Sequence, residues 1–158
     1  MKILISDKMS NKVEDVLNSK SIEYDIKTGL EPDELKSIID DYDGILIRSA
    51  TKLTADILEN CSNLKVIGRA GVGVDNVDLD VATKNKILVM NTPLGNLEAT
   101  AELTVGLMFS LYRHIHNANT STHEGKWEKA KFMGTELKGK TLGIVGFGNI
   151  GQRVAEIC

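Results

Sequence analysis

Short aliphatic runs recur along this chain, and each is followed by a polar stretch with the spacing of an amphipathic helix. The runs that predict strands lie at 2–6, 23–27, 45–48, 65–68, 87–91 and 141–145, and the run at 23–27 is the weakest. Such alternation is typical of βαβ units, because parallel strands are connected by helices that cover the sheet. The pattern predicts an α/β fold with a parallel sheet and argues against an all-β architecture.

Helices are predicted between these strands at 11–18, 31–40, 54–60 and 77–83. Pro32 falls in a first turn, where proline is tolerated, and Thr54 is a candidate cap. The longest candidate is 96–119, where apolar residues form two faces rather than one. A surface helix needs only one apolar face, so we expect this helix to pack between domains or subunits.

A polar, loop-like stretch at 120–139 precedes the last aliphatic run, which begins a second strand–turn–helix system. The chain shows no internal repeat and no low-complexity segment. We therefore expect a first unit from Met1 to about Pro93, followed by the beginning of a second.

Charge and cysteine content narrow the classes of function. The net charge of -3 and the pI of about 5.6 leave no basic surplus for nucleic acid or an anionic membrane. The N-terminus returns to a charge at Asp7, too soon for a signal peptide, which predicts a cytoplasmic protein. Cys61 and Cys158 have no metal-ligand spacing, so we expect free thiols and no metal site.

A G-x-G-x-x-G motif follows the last predicted strand and begins a predicted helix. Its candidate cofactor-binding residues are Gly146, Gly148, Asn149, Ile150 and Gly151. In the dinucleotide fold these glycines allow a tight turn, close approach of the pyrophosphate, and close packing of helix on strand. An ordinary glycine turn is the alternative. The acidic residue that binds the ribose is expected about 20 residues further on, so the choice between NAD and NADP stays open.

Several motifs resemble those of the D-2-hydroxyacid dehydrogenases. They are RSAT at 48–51, GRAGVGVDNVD at 68–78, NTP at 91–93, AELT at 101–104 and GKW at 125–127. The segments at 131–137 and 139–144 are similar to members that act on 3-phosphoglycerate. The resemblance extends over essentially the whole chain.

This resemblance implies a flavodoxin-like, parallel-sheet substrate-binding domain, mostly at 1–96, and the beginning of a Rossmann dinucleotide-binding domain at 97–158. It also implies NAD as the cofactor, a homodimer or homotetramer, and the long helix in the dimer interface. The family's catalytic His, its acidic partner and an Arg are expected beyond residue 158. We therefore expect the chain to be an N-terminal fragment with no catalytic residue and no activity of its own.

Candidate substrate-binding residues begin with two arginines. Arg48 and Arg69 each end a predicted strand, and in open α/β sheets ligands bind beyond the carboxyl ends of strands. The guanidinium fork suits the carboxylate and phosphate of 3-phosphoglycerate. The resemblance implies that both arginines face the substrate, with Ser49 and Thr51 near Arg48. The alternative is that the arginines pair with local acids, such as Asp43 or Asp75.

The resemblance adds four further candidates. Gly71 and Val72 would bring backbone amides near the substrate, and Val72 would also lie by the cofactor. Val72 replaces a hydroxyl residue of a close relative, which puts a hydrogen bond to the cofactor in doubt. Asn96 fits a substrate-contacting Asn, and Lys129 stands where a partner subunit contributes an Arg. The three histidines, His114, His116 and His123, lack a carboxylate at motif spacing, so none is expected to be the catalytic base.

The resemblance thus implies NAD-dependent oxidation of 3-phospho-D-glycerate to 3-phosphohydroxypyruvate, the first step towards serine. Two alternatives stay open. One is a sister dehydrogenase that acts on glyoxylate, hydroxypyruvate or lactate. The other is a corepressor of the same fold, which binds NAD and recruits protein partners.

Overall fold

The computed structural model describes all residues from Met1 to Cys158. The chain divides into two compact units, Met1–Gly95 and Asn96–Cys158. The roles in substrate and cofactor binding that we assign to 1–96 and 97–158 remain predictions.

The first unit contains a five-stranded sheet. Its strands are β1 (Lys2–Ile5), β2 (Glu23–Ile26), β3 (Gly44–Ile47), β4 (Val66–Arg69) and β5 (Leu88–Asn91). They lie in the order β2-β1-β3-β4-β5, and every neighbouring pair is parallel. The predicted parallel α/β sheet is therefore confirmed. The carboxyl ends of all five strands meet at one edge.

Four short helices connect these strands. They are α1 (Lys12–Ser19), α2 (Pro32–Ile38), α3 (Ala55–Leu58) and α4 (Leu79–Lys84), and a 3-10 turn, Ile39–Asp41, follows α2. Glu31 and Glu34 form a capping box at the start of α2, with Pro32 in its first turn. Thr54 precedes α3 as predicted, but its side chain makes no capping bond.

The helices cover both faces of the sheet. Successive strand residues point to opposite faces, so Leu4 joins the larger core cluster while Ile3 and Ile5 join the smaller one. The larger cluster is covered by α2, α3 and α4, and the smaller by α1 through Leu17. On the α1 face, β5 leaves Met90 exposed.

The second unit contains α5 (Leu97–Tyr112), α6 (Ile115–His123), a 3-10 turn (Lys129–Phe132) and α7 (Asn149–Ile157). The prediction of one helix at 96–119 is wrong, because His114 adopts a left-handed conformation with φ 51° and divides it. The cause lies outside the helix. The Thr135 amide donates to the Tyr112 carbonyl at 2.9 Å, and Gly134 packs against the same carbonyl so closely that a Cβ would lie 2.3 Å from it.

The strand predicted at 141–145 does not form ladder bonds, and Val145 is fully exposed. A strand is defined by its hydrogen-bonded neighbour, and the second unit contains no other strand beside this segment. Its turn into α7 is nevertheless present. None of the helices is both long and apolar enough to span a bilayer.

Candidate functional site

The carboxyl edge of the sheet carries the residues predicted to bind substrate. Arg69 is the last residue of β4 and is paired in register with Ile47 of β3, and Arg48 follows Ile47 directly. The two arginines thus emerge from neighbouring parallel strands at the same edge. Asp7 follows β1, the strand on the other side of β3.

Arg48 is exposed, and no acidic side chain pairs with its guanidinium. Its guanidinium donates only to the Lys8 carbonyl, at 3.3 Å. Asp43, the predicted alternative partner, instead accepts from the Lys65 ammonium at 2.5 Å. The hydrogen bond from Lys65 is the main cause of a lowered pKa of Asp43, and the hydrogen bond from the Lys2 amide lowers that pKa further. Arg48 is therefore available to bind an anion.

Arg69 is largely buried, with 12% of its side chain exposed. Its Nε donates to Asn76 Oδ1 at 2.9 Å. Its Nη2 lies 3.7 Å from Oδ1 of Asp75, whose side chain is 86% exposed. Exposed ion pairs contribute little, so the predicted pairing with Asp75 exists but is weak.

The loop at 48–51 is fixed by the buried carboxylate of Asp7. This carboxylate accepts from the Arg48 amide at 2.5 Å and from the Thr51 amide at 3.2 Å. The Thr51 hydroxyl contacts Asp7 at 2.9 Å and the Ser6 hydroxyl at 2.8 Å. Thr51 therefore uses its hydroxyl to hold the loop, while Ser49 is exposed within it.

Gly71 is required by the position of Arg69. A Cβ at Gly71 would lie 2.3 Å from Arg69 Nη1, so only glycine allows the guanidinium to lie against this turn. The turn is tied to the end of β5, because the Val72 carbonyl accepts from Asn91 Nδ2 at 2.6 Å and the Gly71 carbonyl accepts from the Thr92 amide at 3.0 Å. The side chain of Val72 is exposed.

The glycine motif in the second unit has the geometry that a dinucleotide loop needs. Gly146 has φ +92°, a conformation that favours glycine, and a Cβ at Gly151 would lie 2.3 Å from the Gly146 carbonyl. Gly148 precedes α7, provides no side-chain cap, and has open space beside it. Asn149 and Ile150 form the first turn of α7, whose amides suit an anion. These residues fit a bound pyrophosphate.

The remaining predicted residues lie separately in the second unit. Asn96 directly precedes α5 and is exposed, and its carbonyl accepts from the Thr100 amide at 3.0 Å. Lys129 begins the 3-10 turn, where it is exposed. His116 lies in the first turn of α6. No three His, Cys, Asp or Glu side chains form a candidate metal site.

Sequence reasoning missed Asp7 and Asn76. Asn76 Nδ2 donates to the carbonyls of Arg48 at 2.7 Å and Thr51 at 2.6 Å. Asn76 lies inside the family-like motif at 68–78, but its contacts with residues more than 20 positions away leave no periodic signal. Asp7 comes shortly after the end of β1, and this position at the carboxyl edge of the sheet could have marked it as a candidate site residue.

Comparisons with known proteins agree with this arrangement. Residues 3–144 match the family described as D-isomer specific 2-hydroxyacid dehydrogenase, catalytic domain. D-3-phosphoglycerate dehydrogenase of Homo sapiens is 50% identical over 154 residues, which are 98% of this chain and 29% of that protein. Hydroxypyruvate reductase of Thermotoga maritima is 46% identical over 155 residues, covering 98% of this chain and 51% of that protein.

Among solved structures, NAD+-bound 3-phosphoglycerate dehydrogenase of Entamoeba histolytica matches with a TM-score of 0.76 and 34% identity, over 99% of this chain and 50% of that chain. This chain therefore spans between 29% and 51% of the length of these relatives. The sheet, the arginine-bearing edge and the family match over residues 3–144 lead to one conclusion. The chain belongs to the D-isomer specific 2-hydroxyacid dehydrogenase family.

Proposed function

We propose that this chain is the N-terminal part of an NAD-dependent dehydrogenase that oxidises 3-phospho-D-glycerate to 3-phosphohydroxypyruvate, the first step of serine biosynthesis. The observation that carries the proposal is the pair of arginines, Arg48 and Arg69, on neighbouring strand ends. The substrate has two anionic groups, and two guanidinium groups can each bind one of them through a planar fork of donors. The 50% identity to the human enzyme supports the same substrate.

Each residue has a defined task in this proposal. Arg48 binds an anionic group through a guanidinium that no local acid neutralises, and Ser49 lies beside it in the loop. Arg69 binds the second anionic group with the guanidinium nitrogens that Asn76 leaves free. Asn96 and Lys129 are proposed to add contacts to the substrate. The residues that move the proton are proposed to lie outside this chain.

The cofactor is proposed to be NAD, bound through its pyrophosphate by the loop from Gly146 to Gly151. The support is the positive φ of Gly146, the open space at Gly148 and the uncapped amides of α7. When bound, NAD supplies the hydride acceptor for the alcohol carbon of the substrate. The Val72 backbone is proposed as a further contact to the cofactor.

The substitution Arg48→Ala in the full-length protein tests the substrate assignment. Loss of a charge-assisted bond to a substrate anion costs about 1.5–3 kcal/mol, so kcat/KM for 3-phosphoglycerate is expected to fall about 10- to 150-fold. The affinity for NAD, measured by fluorescence titration, is expected to stay unchanged. Arg48→Lys should rescue activity only in part, because lysine lacks the fork. Unchanged kcat/KM in Arg48→Ala would contradict the assignment.

A second candidate function is reduction of hydroxypyruvate. It is favoured by the 46% identity to the Thermotoga maritima reductase, which is close to the identity with the human enzyme. The two functions differ in the phosphate of the substrate. A reductase of this second kind would turn over hydroxypyruvate and glycerate at least as well as their phosphorylated counterparts.

We also propose a homo-oligomer, a dimer or a tetramer, in the cytoplasm. Support for self-association comes from α5, where Leu103, Leu107 and Leu111 are 63%, 59% and 73% exposed. An apolar stripe of this kind is typical of an interface.

A further inference from the structure

We propose that Asn76 is a positioning residue that fixes Arg69 relative to the Arg48 loop and so sets the spacing of the two arginines for a doubly anionic substrate. The inference rests on the proposed function and adds to it the residue that prepares the pocket. Asn76 is half-buried, in the turn between β4 and α4. No other side chain hydrogen-bonds both to the 48–51 loop and to the Arg69 guanidinium.

The Asn76 amide uses its hydrogen-bonding capacity in both directions. Nδ2 donates to the carbonyls of Arg48 at 2.7 Å and Thr51 at 2.6 Å, while Oδ1 accepts from Arg69 Nε at 2.9 Å. Two carbonyls require a donor with two N–H groups, and the guanidinium requires an acceptor. An amide meets both requirements. Aspartate would meet only the second, and alanine would meet neither.

The contact with Asn76 leaves the other side of the Arg69 guanidinium available. Asn76 takes the Nε–H, so the two terminal nitrogens keep donors for an anion. Nη1 lies against the turn at Gly71, and Nη2 has only the exposed Asp75 at 3.7 Å. A substrate anion can displace so weak a pair at little cost.

The 48–51 loop is held from two sides, but only one of them reaches Arg69. Asp7 binds the amides of Arg48 and Thr51, and Asn76 binds their carbonyls. Loss of Asn76 would therefore leave the loop attached to β1 through Asp7 while Arg69 lost its link to it. We expect this change to impair substrate binding more than folding.

Asn85 offers a matched control. It is also half-buried, and its Nδ2 also donates to two backbone carbonyls, those of Leu58 at 2.6 Å and Glu59 at 3.3 Å. It contacts no arginine. Asn76→Ala and Asn85→Ala thus remove similar side-chain-to-backbone bonds, and only the first removes the link to Arg69.

The test is made on the full-length protein, with KM for 3-phosphoglycerate, kcat, KM for NAD and melting temperature measured for wild type and both variants. In Asn76→Ala, KM for 3-phosphoglycerate is expected to rise about tenfold or more, since a hydrogen bond to a charged group is lost. The kcat and the KM for NAD should stay within about twofold of wild type, because a positioning residue for substrate affects neither directly. Asn85→Ala should keep all three kinetic constants.

Asn76→Asp is a second variant. Its carboxylate keeps an acceptor for Arg69 but has no donor for the carbonyls of Arg48 and Thr51, and it competes with the substrate for the arginine, so KM for 3-phosphoglycerate should rise here too. The melting temperature shows whether each variant is folded. Wild-type activity with unchanged KM in a folded Asn76 variant would overturn this inference alone. Equal KM changes in Asn76→Ala and Asn85→Ala would also overturn it. Absence of 3-phosphoglycerate oxidation by the wild type would contradict the proposed function as well.

Discussion

The Arg69 guanidinium and the Gly71 turn are packed so tightly that each restricts the other. Nη1 of Arg69 occupies the space of a Cβ at Gly71, and Nε is held by Asn76. The charge is thereby pre-arranged before any anion arrives. A side chain that is already ordered loses less conformational entropy when it binds a ligand.

The substitution Gly71→Ala should displace this guanidinium. The new Cβ would meet Nη1 at 2.3 Å, and the side chain is the part that can move. We expect kcat/KM for 3-phosphoglycerate to fall about tenfold or more, as for a lost bond to a charged group. Steady-state kinetics on the full-length protein measures this.

A double-mutant cycle with Arg69→Ala tests whether Gly71→Ala lowers kcat/KM by displacing the Arg69 guanidinium. If Gly71→Ala acts through Arg69, it should have little further effect in an Arg69→Ala background. Additive losses in the double mutant would show that Gly71 acts independently of the Arg69 side chain.

The sequence could predict the arginines but not the residues that hold them. The positions of Arg48 and Arg69 at strand ends could be predicted, because a strand end is a local feature of the sequence. Asp7 and Asn76 act on partners 41 and 28 positions away, and nothing local in the sequence marks such contacts. The predicted alternative pairing of Arg48 with Asp43 failed for a similar reason, since Lys65, which directly precedes β4, binds that carboxylate.

At the scale of elements, α5 has a single buried residue and an exposed apolar face. Ala101 is fully buried, whereas Leu103, Leu107 and Leu111 expose more than half of their side chains. Exposed leucines in a row along one helix are costly in water and favour burial against a partner. This arrangement is the basis of the proposed self-association.

The substitution Leu107→Glu tests that role of α5. A charge in the centre of an apolar interface is left desolvated, so we expect the full-length oligomer to dissociate into smaller species. Sedimentation velocity measures the change. Leu94→Glu is the matched control, because Leu94 is 63% exposed but lies outside α5, and it should leave the assembly intact. Unchanged sedimentation of Leu107→Glu would contradict the role of α5.

The elements show where sequence periodicity stops being informative. The five strands of the sheet were predicted because each is a short aliphatic run with a helical stretch after it. The helix break at His114 was not predicted, because residues 113–116 contain neither glycine nor proline. The break coincides with a contact from a distant part of the chain, where the Thr135 amide donates to the Tyr112 carbonyl and Gly134 packs beside it.

At the scale of the whole molecule, our proposal assigns the chain two separate binding elements. The sheet unit carries an edge with two arginines, and the second unit carries a glycine loop suited to a pyrophosphate. Parallel α/β sheets bind ligands beyond the carboxyl ends of their strands, which agrees with the position of the proposed substrate residues on turns that the sheet fixes. We therefore take recognition of a phosphorylated hydroxyacid as the central claim.

The most direct test compares kcat/KM for 3-phosphoglycerate and D-glycerate in the full-length protein with NAD. These substrates differ only in the phosphate. An arginine bound to that phosphate contributes about 1.5–3 kcal/mol, so we predict a preference of about 10- to 150-fold for 3-phosphoglycerate. An equal or higher kcat/KM for D-glycerate would contradict the account.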